Sequence, residues 1–284
     1  MNSRSLLQGR VALITGASSG IGKCTALALA QRGVNLALAA RREGALQEVA
    51  HRARAFGVEA EALPTDVTSR EQAERFVQAA LDRWGRADIL VTCAGAYVRA
   101  HATRLTVADV ERSMAVNFYG TLYPLLAVLP HMLARKQGHL IMVTSLDGKK
   151  GLPLDAPYVA AKAAVGGLAE SIRQDLRGSG VAVTAVFPGR VDTPLIESLR
   201  VPAISAKIPP ERVADAIVRA LHRRPPEVIL PPQGRLLHCV NVVSPRLGDW
   251  FVRLFHLEGW ETTPGSDADL SDGPGSPSAV SSAS

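Results

Sequence analysis

Continuous apolar runs, each stopped by glycine, proline or a small polar residue, recur along the chain at 10–15, 34–40, 58–63, 87–93, 139–144 and 181–187. Runs that are apolar at consecutive rather than alternate positions read as strands buried on both faces of a parallel sheet. Between them lie amphipathic stretches that read as helices: 23–32, 43–56 ended by Gly57, a segment capped by Thr68 or Ser69 and running to Trp84, 106–135, and 158–178. Strand and helix in alternation predict an α/β fold, a doubly wound parallel sheet between two helical layers. The helix at 106–135 carries Asn117 near its middle and Pro124, where a kink is expected. Beyond Leu230 the alternation fades. Residues 235–257 place leucines, valines and aromatics at helical spacing with a break at Pro245, and 261–284 is Ser, Gly, Pro and Asp with little to bury. The chain thus divides into one domain over 1–230, an apolar helical extension over 231–260 and a tail over 261–284 that is expected to be disordered.

Chemistry enters at the ends of the strands. After the first, the chain reads Gly16-Ala17-Ser18-Ser19-Gly20-Ile21-Gly22 and runs straight into a helix. Glycines at a strand-to-helix turn permit backbone angles that other residues avoid, and let an anion reach the free N–H groups of the helix N-terminus. That is the geometry of a dinucleotide site. The second strand ends at Ala40 followed by Arg41 and Arg42. An acidic residue at this place would bond a ribose 2'-hydroxyl, whereas arginine accommodates a 2'-phosphate, so NADP is expected rather than NAD. Ser145 follows the fifth strand, on the rim where such sheets bind ligands. Tyr158 and Lys162 share one face of a helix rich in alanine and glycine. A phenol with a pKa of about 10 is a poor acid at neutral pH, and a fixed cation beside it lowers that value. Taken alone, the pair equally fits two side chains that reach out to solvent.

Composition narrows the classes. With 284 residues and 47% hydrophobic content there is ample material for a core. The net charge of +6 would suit an anionic partner, yet the basic residues form no block and no aromatic-interleaved strip, which argues against nucleic acid. Cys24, Cys93 and Cys239 have neither metal nor disulfide spacing, so no metal and a cytoplasmic setting are expected. The longest apolar stretch, near 122–129, is interrupted by Pro124 and ends at Pro130, well short of the roughly 18 residues of a membrane span.

Thr15-Gly16-Ala17-Ser18-Ser19-Gly20-Ile21-Gly22, Asp66-Val67, Ala94-Gly95, Asn117, Ser145, Tyr158-x-x-x-Lys162 and Pro188-Gly189-x-Val191-x-Thr193 follow one another in the order of the short-chain dehydrogenase/reductase family. The chain resembles that family's compact single-domain branch over about 7–230. The resemblance implies a Rossmann-like fold and hydride transfer between a nicotinamide and a carbonyl or alcohol. Ser145 would bond the substrate oxygen and Tyr158 would exchange a proton with it. Lys162 would lower the Tyr158 pKa and bond the nicotinamide ribose, and Asn117 would hold a water leading to Lys162. Asp66 and Val67 would hold the adenine, and Thr193 the carboxamide. Ala94, Gly95, Pro188, Gly189 and Val191 would complete the cofactor site. The family pattern is departed from in two places: Thr92-Cys93 replaces a pair of asparagines, and Asp147 replaces a small residue near the substrate entrance.

By the same resemblance the substrate would lie among Ser145, Leu146, Asp147, Leu152, Tyr158 and Leu195, with Leu154, Ile196 and Leu199 nearby, which suits a bulky or apolar ketone, aldehyde or alcohol. A lipid-pathway ketone reductase acting on acyl or sphingoid substrates, and a non-catalytic NADP-binding regulatory protein, are the alternatives. The helices at 106–135 and 158–178 resemble those that build family homodimers and homotetramers. The extension is open to three readings: a lid on the pocket, a subunit contact, or a peripheral membrane contact through Arg235, Arg246, Arg253 and the aromatics.

Overall fold

The computed structural model describes residues 7–261. All six apolar runs are strands: β1 Val11–Thr15, β2 Asn35–Ala40, β3 Ala60–Pro64, β4 Ile89–Thr92, β5 Gly138–Val143 and β6 Val181–Pro188. A two-residue strand, β7 Leu199–Arg200, lies outside the main sheet. The main sheet is completed by β8 Glu227–Leu230, giving seven parallel strands in the order β3-β2-β1-β4-β5-β6-β8. The apolar-run criterion did not single out β8, an edge strand that is only partly covered and opens on an exposed glutamate. Strand order reverses between β1 and β4, which opens a crevice beyond their C-terminal ends.

Consecutive residues of each strand enter different cores, as the period of two requires. Ile14, Leu38, Val91 and Ile141 pack with α1 Gly20–Ala30, α2 Glu43–Arg54 and α7 Pro210–Arg223. Leu13, Ala39, Leu90 and Leu140 pack with α3 Arg70–Trp84, α5 Gly120–Ala134 and α6 Ala156–Asp175. Of the two candidate caps for α3, Ser69 does the work, its hydroxyl accepting the Gln72 N–H.

The stretch at 106–135 is two helices. Thr106 and Asp109 form a capping box for α4 Val107–Met114, a π turn spans Ala115–Tyr119, and α5 follows. The expected kink at Pro124 is corrected: α5 runs through Pro124 and Pro130, and the irregularity sits in the turn that holds Asn117. A π turn shifts the hydrogen-bond partner by one residue, so a proline soon after it loses a bond where pairing is already changing.

The extension forms α8 Gln233–Val243 and α9 Pro245–Leu254, broken as expected before Pro245, where Ser244 caps α9. The chain then returns to pair β9 Trp260–Glu261 antiparallel with β7. Glu261 therefore belongs to a strand, and the rest of the expected disordered tail lies outside the described residues. No helix of the described residues is long and apolar enough to cross a membrane.

Candidate active site

The turn from β1 to α1 is made of close backbone approaches. Gly16 has φ +66 and a Cβ there would stand 2.7 Å from the Ala94 nitrogen; a Cβ on Gly22 would stand 2.3 Å from the Gly16 carbonyl oxygen. Ser19 precedes α1 without capping it, and no acidic residue lies in the first turn, so the helix N-terminus is left open to an anion. A groove of about 400 Å³ runs along this turn, lined by Gly16, Ser18, Ser19, Gly20, Ile21 and Gly22 on one side and by Asp66, Val67, Ala94 and Gly95 on the other. Arg41, Arg42 and Thr193 also line it, and Arg42 donates to the Ser18 hydroxyl at 3.2 Å. One Asp66 carboxylate oxygen accepts from the Thr68 N–H and hydroxyl, which fixes that side chain at the lip. Groove length, an uncapped helix start and a cationic lining are what a nicotinamide dinucleotide requires, and the residues present fit one.

A smaller cleft of about 80 Å³ adjoins the groove and shares Ile21, Cys93, Gly95, Thr193 and Leu195 with it. Its walls include Ser145, Asp147, Tyr158 and Lys162, with Pro188, Gly189 and Val191 behind them. Ser145 is buried at the end of β5, its hydroxyl accepting the Asp147 N–H at 3.1 Å. Thr144 donates to the Lys162 carbonyl at 2.7 Å, clamping the strand end to α6. A Cβ on Gly148 would meet the Lys162 backbone at 2.9 Å, so the loop after β5 can lie on α6 only as glycine there.

Electrostatics in the polypeptide itself differ from the expectation for Tyr158. Burial, reinforced by Asp147, holds the phenol above its ordinary pKa against the opposing Ser145 hydrogen bond. The Lys162 ammonium lies 5.7 Å from the ring centre and donates to the Val143 carbonyl at 3.1 Å. Burial brings Lys162 down to about 8. The Cys93 thiol, which lines both cavities, is pushed by burial up to about 12 and so is no thiolate nucleophile. Asp147 is raised to about 6, first by burial and then by Asp155.

Asn117 is fully buried, and its side chain is spent on bracing: Oδ1 accepts the Ala96 N–H, and Nδ2 donates to the carbonyls of Ala96 and Ser113. A Cβ on Gly95 would sit 3.1 Å from Asn117 Oδ1 and 3.8 Å from Lys162 Nζ, so both groups face the space that this glycine leaves. Among the expected substrate residues, Ser145, Asp147, Tyr158 and Leu195 line the cleft, as do Ile196 and Leu199, whereas Leu146, Leu152 and Leu154 do not. Leu146 instead packs toward Gly234 of α8 and Gly189.

Four further residues shape this end of the molecule: Tyr97, Arg99, Asp155 and Arg190. The Tyr97 ring meets Tyr158 edge-on at 4.9 Å between centres, and its hydroxyl donates to Asp155 at 2.8 Å. Asp155 is fully buried and paired with Arg99 at 2.9 Å. Only their closeness to Gly95 and Tyr158 in the chain could have pointed to Tyr97 and Asp155; nothing in local spacing marks Arg99 or Arg190. At the former asparagine positions, the Cys93 and Ala94 N–H groups approach the Thr15 hydroxyl at 3.2 and 3.4 Å, which braces the end of β4 from β1.

Comparison with known proteins agrees with this geometry. A family model described as short chain dehydrogenase matches residues 10–202. An uncharacterized oxidoreductase of Bacillus subtilis, YxnA, is 36% identical over 280 residues, covering 94% of this chain and 79% of that protein, so the match takes in the C-terminal extension. Glycine betaine reductase ATRR of Emericella nidulans is 39% identical over 233 residues, 79% of this chain, although the match spans only 18% of that protein's length. Among solved structures, an alcohol dehydrogenase from the archaeon Thermococcus sibiricus complexed with 5-hydroxy-NADP superimposes with a TM-score of 0.71 at 30% identity, over 78% of this chain and 95% of that one. A short chain dehydrogenase/reductase from Burkholderia phymatum in complex with NAD gives 0.79 at 26% identity, over 85% and 95%.

Proposed function

The chain belongs to the short-chain dehydrogenase family of oxidoreductases, and on that premise we propose that it interconverts a ketone or aldehyde and an alcohol with NADP(H). The observation that carries this reading is the meeting of Ser145, Tyr158 and Lys162 in a cleft continuous with a groove that Arg41 and Arg42 help to line. The glycine turn and the start of α1 would hold the pyrophosphate, and the two arginines would hold the 2'-phosphate, since Ala40 is followed directly by Arg41 and Arg42 and not by an acidic residue that would bond a free 2'-hydroxyl.

When bound, the nicotinamide supplies or accepts the hydride. Ser145 donates a hydrogen bond to the carbonyl oxygen, and Tyr158 gives that oxygen its proton. Because burial, with Asp147 and Asp155 behind it, raises the phenol, its activation falls to cations brought close during turnover, Lys162 first. Asn117 acts through position: it holds Ala96 and shares with Lys162 the space beside Gly95, where a proton-carrying water fits. Leu195, Ile196 and Leu199 form an apolar wall and Asp147 a polar one, so the substrate is an apolar carbonyl compound whose reactive end enters the cleft. Exposed Val107, Tyr119, Leu126 and Leu133 on or beside α4 and α5 support a homo-oligomer.

Fluorescence titration with NADPH and NADH tests the cofactor. We expect NADPH to bind more tightly, and the double variant Arg41→Ala/Arg42→Ala to lose about ten-fold or more of NADPH affinity with NADH unchanged. Preference for NADH in the native protein would overturn the assignment.

A further inference from the structure

After α9 the chain comes back against Arg190 and Leu199, two residues that line the cleft. His256 and Gly259 are both left-handed, at φ +47 and +64, and a Cβ on Gly259 would stand 2.5 Å from the Arg200 carbonyl oxygen. Between them the backbone presents two consecutive carbonyls inward. Arg190, just beyond β6, donates to the Leu257 carbonyl and also to the Ser205 hydroxyl at 2.8 Å. Arg99, just beyond β4, donates to the Glu258 carbonyl at 3.1 Å. Two arginines from different strand ends therefore grip neighbouring peptide units, and β9 then zips onto β7 in the loop that carries Ile196 and Leu199.

Arg99 also leads inward. It pairs with Asp155, the residue that opens α6, and Asp155 accepts the Tyr97 hydroxyl, whose ring packs on Tyr158. The turn before Asp155 is held under strain: Leu154 sits at φ +69, and its carbonyl accepts the Ala100 N–H at 2.8 Å. A branched side chain in that region costs on the order of 1–3 kcal/mol and persists only where its surroundings over-determine it. A surface ion pair would contribute little, but Asp155 is fully buried and the Arg99 side chain nearly so, which makes the geometry of the pair exacting.

We propose that the strap at 257–261 is a working support behind the lining of the active site, and that Arg99 and Arg190 are positioning residues which tie it to the catalytic helix and to the substrate loop. It rests on the carbonyl-reducing function above and extends it. The strap holds the loop around β7 at the cleft, and the path from Glu258 through Arg99, Asp155 and Tyr97 sets the attitude of the Tyr158 ring. Nothing in it touches the nucleotide groove, so its influence falls on the substrate side.

Gly259→Val in the full-length protein is the sharpest test, because a branched side chain fits neither φ nor the space beside Arg200 while every cleft residue is left in place. Hydrogen exchange should quicken about ten-fold at 199–208 and at the first turn of α6. With NADPH and 4-nitrobenzaldehyde as probes, kcat/KM for the aldehyde should fall roughly 10- to 100-fold, the loss expected from a misplacement of about an ångström, while NADPH affinity by fluorescence stays within about two-fold. Arg190→Met should give the same pattern and Arg190→Lys should recover part of the loss, since an ammonium can still reach one carbonyl. This series also covers the case in which Gly259→Val fails to fold. Leu254→Ser, on the outer face of α9, should match the native protein. Quickened exchange with native kinetics would reduce the strap to a structural tie and overturn the proposal, as would unchanged exchange. If the native protein reduces no aldehyde, the proposed function itself fails. Exchange at the first turn of α6 then decides the strap: quickened in Gly259→Val supports it, unchanged overturns it.

Discussion

The nucleotide groove and the substrate cleft meet at Cys93, Gly95 and Thr193 but are built by opposite means. The groove is mostly backbone. Its floor is one strand, one turn and one helix contiguous in sequence, with glycines where a Cβ would strike another chain segment, and short pieces at the ends of β2, β3 and β4 complete it. The cleft is mostly side chains brought from afar: Tyr97 and Arg99 reach 58 and 56 residues ahead to Asp155, and Arg190 reaches 67 residues ahead to Leu257. A local backbone device tolerates change elsewhere in the protein. A web of long-range side-chain bonds does not.

The comparison is broken most sharply at the phenol. Tyr158→Phe should lower kcat by roughly 10³-fold, the loss typical of a removed general acid, with NADPH affinity unchanged in a fluorescence titration. Equal loss of both would mean that the two halves are not separable. Next comes Asp155→Asn, which removes the buried carboxylate to which Tyr97 and Arg99 both donate; denaturant unfolding should register a loss of about 3 kcal/mol or more, accompanied by lower turnover. On the groove side, Gly22→Ala forces a Cβ against the Gly16 carbonyl and should cost about 1–3 kcal/mol of stability together with NADPH affinity, whereas the cleft's hydrogen-exchange pattern stays native.

The smallest effect concerns Asp147. Its folded pKa of about 6 stands above the ordinary 3.8, chiefly because burial penalises the carboxylate. A raised acid binds its proton more tightly when folded, so its contribution to stability is complete below pH 3.8 and is lost as pH rises through about 6. Asp147→Asn should flatten that part of the stability profile and leave the protein more stable at pH 7 by on the order of 1–2 kcal/mol. The measurement is urea unfolding at a series of pH values. An unchanged profile would show that Asp147 is better solvated than its place beside Ser145 and Tyr158 suggests.

Much was legible before any coordinates. Six strands appear at the expected runs because a strand covered on both faces must be apolar at consecutive positions. The glycine turn, Ser145 and the Tyr158 and Lys162 pair converge on one rim because parallel strands all end there. The break in 106–135 was misplaced onto Pro124 because propensity sees the proline and not the bonds that Asn117 makes to Ala96 and Ser113. The family resemblance puts Leu146 beside the substrate, yet it packs toward Gly234, a partner that no local pattern could supply.

The succession of strands and helices along the chain, the dinucleotide turn and the candidate catalytic residue types were thus determined by the sequence alone, since each depends on contacts within a few residues or on a repeat of two or 3.6. Tertiary structure decided the rest: that Lys162 donates to Val143, that Tyr97 and Asp155 brace Tyr158, and that Leu257 and Glu258 return to meet Arg190 and Arg99. Those contacts join side chains and carbonyls far apart in the chain, and only packing of the whole domain brings them within hydrogen-bonding distance.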